Sequence, residues 1–329
     1  MKSSGPLIGM RELGKLGLPE ESFMLAALRG LREVIPGVAG VFFWLDGAGR
    51  ISDCCADRLP TPSQARLEPD EACLEQRFVA SVLHVNGARS ASVCDVVAGT
   101  RVAGRLHAYR RDCGEALNAG QMKLLIPAVR YLGAGLANAG CESAEPGPVP
   151  VSEEFVVCSP QGRIVHATEG SWTLLLLASG APITPSGMAR AATMSQDLLA
   201  SLCAQLAQAP HDPILELRRE SPRGFFSFRL HRMPASEPDA APLVAVQLHR
   251  HQPSHLHVLE ALRQRRLSSR QREIALLISL GRTNVEIASI LNVSANTVSY
   301  HVRWLFSRFE VHSRSGLLGR LVTSLAQAR

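Results

Sequence analysis

Three helix-start signals follow one another at short spacing near the C-terminal end of the sequence. Ser268, Thr283 and Ser294 each stand directly before a segment with helical apolar spacing. Gln271 and Glu286 follow the first two of these residues at the third position, which is the spacing of a capping box. The signals therefore predict three short helices joined by tight turns.

Two residues suited to left-handed backbone divide these helices. Gly281 and Asn292 tolerate a positive φ better than most residues, so the first two helices should end there. Apolar residues recur on one side of each predicted helix, as burial against a common core requires. The predicted buried sides are, in chain order, Ile274, Leu277 and Ile278, then Ile287, Ile290 and Leu291, then Val298, Val302, Leu305 and Phe309.

The other side of the third helix carries hydrogen-bonding side chains and no acidic residue. Its members are Asn296, Ser299, Tyr300, Arg303 and Ser307. A helix with such a face, held over a tight turn, suits insertion into the major groove of DNA. Its N-terminus favours contact with phosphates. The alternative interpretation is an ordinary three-helix bundle with a solvated face.

Positive charge is concentrated in the same part of the chain. Residues 254–329 contain eleven arginines, no lysine and four acidic residues, for a net charge of +7, whereas residues 1–253 carry −1. This asymmetry is typical of a module that binds a polyanion such as nucleic acid.

The same segment contains the following set of residues: Ser268-x-x-Gln271-Arg272-Glu273, Gly281, Asn284-x-Glu286-Ile287-Ala288, Leu291, Ser294, Thr297-Val298, His301-Val302, Arg308 and Val311-x-Ser313-Arg314. With this set, the chain from Leu267 to Gln327 resembles a known family of DNA-binding modules, the LuxR-type (GerE-type) helix-turn-helix. The resemblance implies a four-helix module whose last helix supports dimerisation. The residues implied there are Ser313 as the cap and Leu317, Leu318, Leu321 and Leu325 as the apolar contacts.

The resemblance also implies roles for single residues. Base edges are expected to meet Ser299, Tyr300 and Arg303, and phosphates to meet Thr283, Asn284, Thr297 and Arg314; Ser294 and Asn296 complete the predicted DNA-binding set. Two residues depart from the family pattern. Ser299 replaces the usual lysine or arginine, which predicts modest base discrimination. Glu310 replaces a glycine or small polar residue, which predicts a stiffer turn before the last helix.

Upstream, the chain predicts a multidomain protein with two α+β sensory regions before the all-α module. Residues 1–141 show a helical stripe (Phe23, Ala27, Leu28, Leu31, Val34), four strand-like runs and a closing helix from Gln121 to Ala137 whose apolar face starts at Leu124. This order of elements resembles a GAF domain. A Pro-rich segment at 142–151 predicts a linker.

The second sensory region is predicted at residues 152–250. It opens with a strand, a turn at Ser159–Gly162 and a second strand, and it closes with three strands in meander order. This disposition resembles a PAS domain. Residues 251–266 are expected to form a connecting segment with a basic helix.

Several function classes lack support in the sequence. No apolar run reaches the roughly 18 residues of a membrane helix, so we expect a soluble cytoplasmic protein with no membrane contact. No catalytic constellation is recognisable, so we expect no enzyme activity. The eight cysteines predict reduced thiols, and a thiol switch is the alternative. The cluster His249, His251, His255 and His257 is interpreted as a solvated junction rather than a metal site, and no cofactor is identified.

The main hypothesis is a dimeric transcription regulator that binds double-stranded promoter DNA. Its sensory regions would respond to an unidentified small molecule or to a partner, and RNA polymerase is a candidate partner. The rival hypothesis is a protein-interaction adaptor whose helix-turn-helix bundle no longer reads DNA. A second rival, within the sensor, is a protein-gated switch without a ligand pocket.

Overall fold

Two α+β regions precede a bundle of C-terminal helices in the computed structural model of the chain. The structure describes residues 5–61, 74–140, 146–188, 190–209, 214–234, 242–263, 265 and 267–326. Within these residues, no helix combines the length and the apolar character that crossing a membrane requires.

The first region has a four-stranded antiparallel sheet between helices, with strand order β2-β1-β4-β3. Its elements are α1 (Gly5–Leu13), α2 (Glu20–Val34), β1 (Val38–Leu45), β2 (Ile51–Cys55), α3 (Leu74–Val85), β3 (Ser92–Ala98), β4 (Arg101–Arg110) and α4 (Ala119–Ala137). Phe42 and Phe43 are neighbours in β1 and both are buried, because they point to opposite faces of the sheet. The sheet is therefore covered on both sides.

The second region has a five-stranded antiparallel sheet with strand order β6-β5-β9-β8-β7. Its elements are β5 (Pro146–Cys158), β6 (Ile164–Ala167), α5 (Ser171–Ser179), α6 (Pro185–Met188), α7 (Ala191–Gln208), β7 (Ile214–Ser221), β8 (Gly224–Met233) and β9 (Leu243–Pro253). The predicted opening hairpin is confirmed, with Gly162 at φ 80° in its turn. The closing meander is confirmed as β7, β8 and β9.

The described residues of the C-terminal bundle form five helices. They are α8 (Ser254–Arg263), α9 (Ser269–Ser279), α10 (Asn284–Leu291), α11 (Ala295–Phe309) and α12 (Arg314–Ala326). The predicted buried stripe of α11 is confirmed at Val298, Val302, Leu305 and Phe309.

The regions share apolar cores instead of keeping separate ones. One core joins α1, α2, α4 and one face of the first sheet to the C-terminal helices, with Met24, Leu132 and Ile278 among its members. The other joins the opposite face of that sheet to the second region, with Phe78 and Phe228 among its members. The first sheet therefore lies between its two neighbours.

Two segments predicted as connections belong to regular structure. From Pro146 on, the expected linker is the start of β5, which pairs with β9 as far as the bridge between Pro146 and Pro253. The expected basic connecting helix is α8, whose Leu256, Leu259 and Leu262 are buried in the bundle. The proline content of residues 142–151 indicated a linker. From Pro146 on, however, β9, which is distant in sequence, provides hydrogen-bond partners for the backbone.

Two residues predicted to be buried are exposed. Leu124 lies on the outer side of α4, while Leu125, Ala128, Leu132 and Leu136 form its buried face. Ile290 is 51% exposed, because α10 buries Ile287, Ala288 and Leu291 instead. In a helix of eight residues, a shift of one position changes which side chains meet the core.

Candidate nucleic-acid interface

Side-chain caps fix the three helices that build the candidate interface. The predicted capping boxes at Ser268 and Thr283 are present, and the Ser294 side chain accepts a hydrogen bond from the backbone nitrogen of Thr297 at 3.1 Å. Gly281 and Asn292 adopt the predicted positive φ, at 74° and 51°. Capping satisfies N–H groups that a helix start leaves unpaired, so these residues determine where α10 and α11 begin.

The polar side of α11 faces solvent. Asn296, Arg303 and Ser307 are exposed, Tyr300 is 64% exposed, and Ser299 is half-buried. The Arg303 guanidinium makes one long contact within the chain, from Nε to the Ser299 carbonyl oxygen at 3.4 Å. Among the described residues, its other donors form no hydrogen bond or ion pair, so they are available to another molecule.

A hydrogen-bond relay ties three helices together beside this face. Arg314 of α12 donates to the side-chain oxygen of Asn284 at 2.6 Å and to the carbonyl oxygen of Arg282 at 2.5 Å. Asn284 in turn donates from Nδ2 to the Ser299 hydroxyl at 3.2 Å. The structure thus brings together two residues of the predicted phosphate-contacting set and one of the predicted base-reading set.

Two other predicted phosphate contacts already serve as caps or cap partners. The Thr283 hydroxyl lies 2.8 Å from a Glu286 carboxylate oxygen, and the Thr297 hydroxyl lies 2.8 Å from the Ser294 hydroxyl. Hydrogen bonds from Thr283 lower the pKa of Glu286 below its usual value. Both threonines are exposed. A phosphate oxygen accepts hydrogen bonds but cannot donate them, so it would compete with Glu286 for the Thr283 hydroxyl proton.

The leucines predicted to form a dimer contact have different surroundings. Leu317 and Leu321 are 0% exposed, because α12 packs on α8 of the same chain. This burial departs from the expectation that they face a second subunit. Leu318 is half-buried, and the side chain of Leu325 lies outside the described residues. Ser313 does cap α12, since its hydroxyl accepts from the Gly316 nitrogen at 3.0 Å.

Two ion pairs join the bundle to the first region. Lys15 Nζ lies 2.7 Å from Glu273 Oε1, and Arg272 Nε lies 3.6 Å from Glu12 Oε1. Glu12 is buried, so the second pair is shielded from water. The bundle therefore contacts the first region through α8 and α9, and it also packs on β5 of the second region through α8 and α12. The polar side of α11 faces solvent.

The turn between α11 and α12 contains the predicted unusual residue. Glu310 has φ 55° and ends α11 in the left-handed region, where the family pattern has a glycine or small residue. Side chains other than glycine and, to a lesser degree, asparagine and aspartate are disfavoured in this conformation. The stiffness expected of this turn stays a prediction.

His249, His251 and the six cysteines that the structure describes lie in the two α+β regions, away from this interface. His249 and His251 lie in β9 with ring centroids 6.3 Å apart; His251 Nε2 lies 2.9 Å from the Ser227 hydroxyl, and His249 Nε2 lies 3.5 Å from a Glu153 oxygen. The side chains of His255 and His257 fall outside the described residues. Across the part of the chain that is described, no group of three or more metal-binding side chains is found.

Sequence reasoning missed a set of charged residues between the two α+β regions. Arg223 is 4% exposed, and its guanidinium lies 2.5 Å from the Asp53 carboxylate. Arg250, Glu21 and Glu154 lie close by. No local pattern marks them, because each comes from a different element and they meet only in the folded chain.

Comparison with known proteins identifies relatives of the C-terminal part. Residues 265–319 match the family described as bacterial regulatory proteins, luxR family (GerE). A curated Escherichia coli K12 protein described as an HTH-type transcriptional regulator, YhjB, is 45% identical over 49 residues, which are 15% of this chain and 24% of that protein. The chain thus spans about a quarter of the length of this relative.

Solved structures give a weaker likeness. A Vibrio cholera VqmA–ligand–DNA complex is 14% identical with a TM-score of 0.24, and the match covers 53% of this chain and 83% of that chain. A phage VqmA–DPO complex is 14% identical with a TM-score of 0.22, over 54% of this chain and 83% of that one. At these scores the likeness supports no conclusion about this protein.

Proposed function

Because residues 265–319 form a helix-turn-helix domain of the luxR family, we propose that the chain is a DNA-binding transcriptional regulator that acts as a dimer on promoter DNA. The observation that carries the proposal is the polar side of α11. It is solvent-exposed, free of acidic residues, and fixed at its start by the Ser294 cap. Such a face meets the geometric requirements of a helix that reads the major groove.

Individual contacts follow from this placement. Tyr300, Arg303 and Ser299 are assigned to base edges, and Thr283, Asn284, Thr297 and Arg314 to phosphates, with Ser294 and Asn296 at the helix start. A bidentate contact from Arg303 to a guanine contributes about 1–3 kcal/mol of discrimination. Arg314 has a second role in this proposal, because its bonds to α10 position Asn284.

Gating by the upstream regions is supported by the shared core. The bundle packs on α1 and is fixed there by the Lys15–Glu273 and Glu12–Arg272 pairs. A ligand or partner that prefers one arrangement of these regions shifts the population of that arrangement. The elements of the first region support a GAF-like sensor. The opening hairpin and closing meander of the second support a PAS-like one.

Arg303→Ala tests the base-reading assignment. We expect the variant to relax site preference among DNA duplexes selected from a random pool, measured by fluorescence anisotropy on matched and mismatched sites. Arg320→Ala is the matched control, since it removes the same charge from an exposed position on α12. If Arg303→Ala keeps the full site preference, the assignment is wrong.

Arg314→Ala tests the phosphate assignment. We expect it to weaken binding to all sequences alike and to flatten the salt dependence of log K by about one. Arg314→Lys separates the two roles of the residue, because lysine keeps the charge but lacks the two-donor geometry that holds Asn284.

The alternative function is a protein-interaction adaptor. Ser299 and Glu310 favour it, since one removes a positive charge from the reading face and the other adds a negative charge nearby. The salt dependence of DNA binding distinguishes the two functions. A steep slope supports the regulator, and a slope near zero supports the adaptor.

A further inference from the structure

A cavity of about 280 Å³ lies where the two α+β regions meet. One wall comes from α2 and from the segment after β2 in the first region. The other wall comes from the paired ends of β5 and β9 and from the start of α5 in the second. Small-molecule sites occur preferentially at such junctions between domains.

Two arginines line this cavity without a carboxylate partner among the described residues. Arg250 is 7% exposed; its Nη2 donates to the Arg223 carbonyl oxygen, and its guanidinium carbon lies 5.7 Å from the centroid of the Phe226 ring. Arg29 of α2 is half-buried and forms no hydrogen bond or ion pair with any described residue. Burial is the main cause that lowers the pKa of Arg250 to about 10; the charges of Arg29 and Arg223 add to it, and the Glu21 carboxylate, which forms no ion pair with Arg250, opposes it.

Glu154, whose charge is opposite to that of the two arginines, lines the same cavity. The strand register pairs Ser152 with Arg250 and Glu154 with Leu248, so Glu154 and Arg250 lie diagonally on one face of the sheet. The Glu154 carboxylate accepts a hydrogen bond from the Thr168 hydroxyl and has no cationic partner among the described residues.

The other acidic groups of the wall are already neutralised, and the rest of the wall is apolar. Asp57 pairs with Arg32, and Glu169 pairs with Arg58 at 2.8 Å. The apolar part of the wall consists of Leu25, Leu59, Leu174 and Leu177. The cavity thus offers two guanidinium groups, one carboxylate and a leucine surface within a space suited to a molecule of few heavy atoms.

We propose that this cavity binds a small zwitterion of the α-amino acid class. The ligand's carboxylate pairs with Arg29 and Arg250, its ammonium group pairs with Glu154, and its apolar side chain contacts the leucines. Guanidinium groups bind carboxylates with two parallel hydrogen bonds, and both partners here are partly shielded from water. Charges that line a cavity without a partner carry a desolvation cost, which complementary charges on a ligand offset.

This inference rests on the proposed sensory function, and the cavity would be the place where the ligand binds. Arg29 belongs to the first region, whereas Arg250 and Glu154 belong to the second. A zwitterion that contacts all three favours the arrangement in which the two regions are held together. Because the DNA-binding bundle packs on elements of both regions, ligand binding is coupled to the position of that bundle.

The test uses the full chain without DNA. The twenty protein amino acids are screened by thermal shift at roughly 10 mM, where binding raises Tm in proportion to the logarithm of ligand excess. The best binder is then compared by calorimetry with its deaminated acid and its decarboxylated amine; for valine these are 3-methylbutyrate and 2-methylpropylamine. We expect each counterpart to bind at least about tenfold more weakly, because each lacks one charge-assisted contact.

Two variants assign the contacts. Arg29→Gln and Glu154→Gln should each weaken amino acid binding about tenfold or more. Glu154→Gln should also reduce the difference in affinity between the amino acid and its deaminated acid. General destabilisation of the fold would weaken the binding of both ligands alike. Arg105→Gln is the matched control, since Arg105 lines a different cavity on the first sheet and its loss should leave affinity unchanged.

Three outcomes overturn the proposal: no amino acid raises Tm, the deaminated acid binds as tightly as the amino acid, or both variants keep wild-type affinity. These outcomes are independent of DNA binding. Amino acid binding that leaves DNA affinity unchanged supports the site and counts against the gating in the proposed function. DNA binding without any amino acid binding counts against the site and leaves the DNA-binding part of the proposed function standing.

Discussion

The polar side of α11 and the junction between the two α+β regions use charge in opposite ways. On α11, Arg303 is exposed, makes one weak internal contact and has no acidic neighbour on its face. At the junction, Arg223 is buried, contacts Asp53 directly and donates to the Ala181 carbonyl oxygen at 2.5 Å. The exposed positive charge on α11 is available to a binding partner. The buried positive and negative charges at the junction instead hold the two α+β regions together.

The contrast separates residues important for stability from residues important for binding. A buried ion pair that loses one member leaves the other charge desolvated, and this destabilises the fold strongly. An exposed arginine that is removed costs the fold little, because water already solvated it. The same type of side chain therefore has opposite expected effects in the two places.

Arg223→Ala should produce the largest effect on stability. We expect the free energy of unfolding to fall by about 3–5 kcal/mol, because Asp53 keeps a buried charge without its partner. Chemical denaturation of the full chain measures the change. Arg58→Ala is the control, since the Arg58–Glu169 pair also joins the two regions but is exposed, and its loss should cost less than about 1 kcal/mol.

If Arg223→Ala and Arg58→Ala prove equally stable, burial of the ion pair does not explain the stability of the junction.

Arg303→Ala extends the comparison to α11. It should change the free energy of unfolding by no more than about 0.5 kcal/mol while changing DNA site preference. A large loss of stability in this variant would show that the polar side of α11 is part of the fold's own packing.

Glu21 provides a smaller, pH-dependent effect at the junction. Burial is the main cause that raises its pKa to about 6; the Arg223 charge opposes this, and the Asp53 charge and hydrogen bond add to it. The folded state therefore prefers the protonated acid. Its stabilising contribution is complete below the unfolded pKa near 4.5 and is lost as the pH rises through about 6.

Glu21→Gln should remove this dependence. Because Glu21 is partly exposed, solvent screening reduces the expected difference to about 1 kcal/mol or less. The measurement is the free energy of unfolding at pH 4.5 and pH 7.5 for both proteins. The wild type should lose stability relative to the variant as the pH rises, and a change in the opposite direction would contradict the assignment.

Glu310→Gly should have a small effect on stability, and of the opposite sign to that of Arg223→Ala. Glycine relieves the left-handed conformation at φ 55°, so we expect a gain of about 0.5–1 kcal/mol in the free energy of unfolding. Glu310→Ala is the control, because it removes the charge but keeps a β-carbon. Equal stability of the two variants would mean that the charge, and not the backbone, determines the cost.

Features that depend on nearby residues could be predicted from the sequence. The caps at Ser268, Thr283 and Ser294 were predicted correctly, because an N-cap bond joins residues three positions apart. The left-handed turn at Asn292 and the buried stripe of α11 depend on equally local chemistry. The exposed side of α11 followed directly from that stripe.

Features that depend on distant partners could not. Arg223 and Asp53 are 170 positions apart, and nothing around either residue indicates the other. The start of β5 at Pro146 depends on β9, and its local composition favoured a linker. The burial of Leu317 and Leu321 was missed for the same reason, since the helix they pack on was expected to be a solvated connection.

The bridge between Pro146 and Pro253 has a consequence for how the protein is built. β5 leads into the second region and β9 leads out of it, and the two strands are paired at their outer ends. The chain therefore enters and leaves this region side by side, as is common for the ends of a domain. The shared apolar core and the Arg223–Asp53 pair still hold this region against the first one, so separating it from the rest of the chain would expose both.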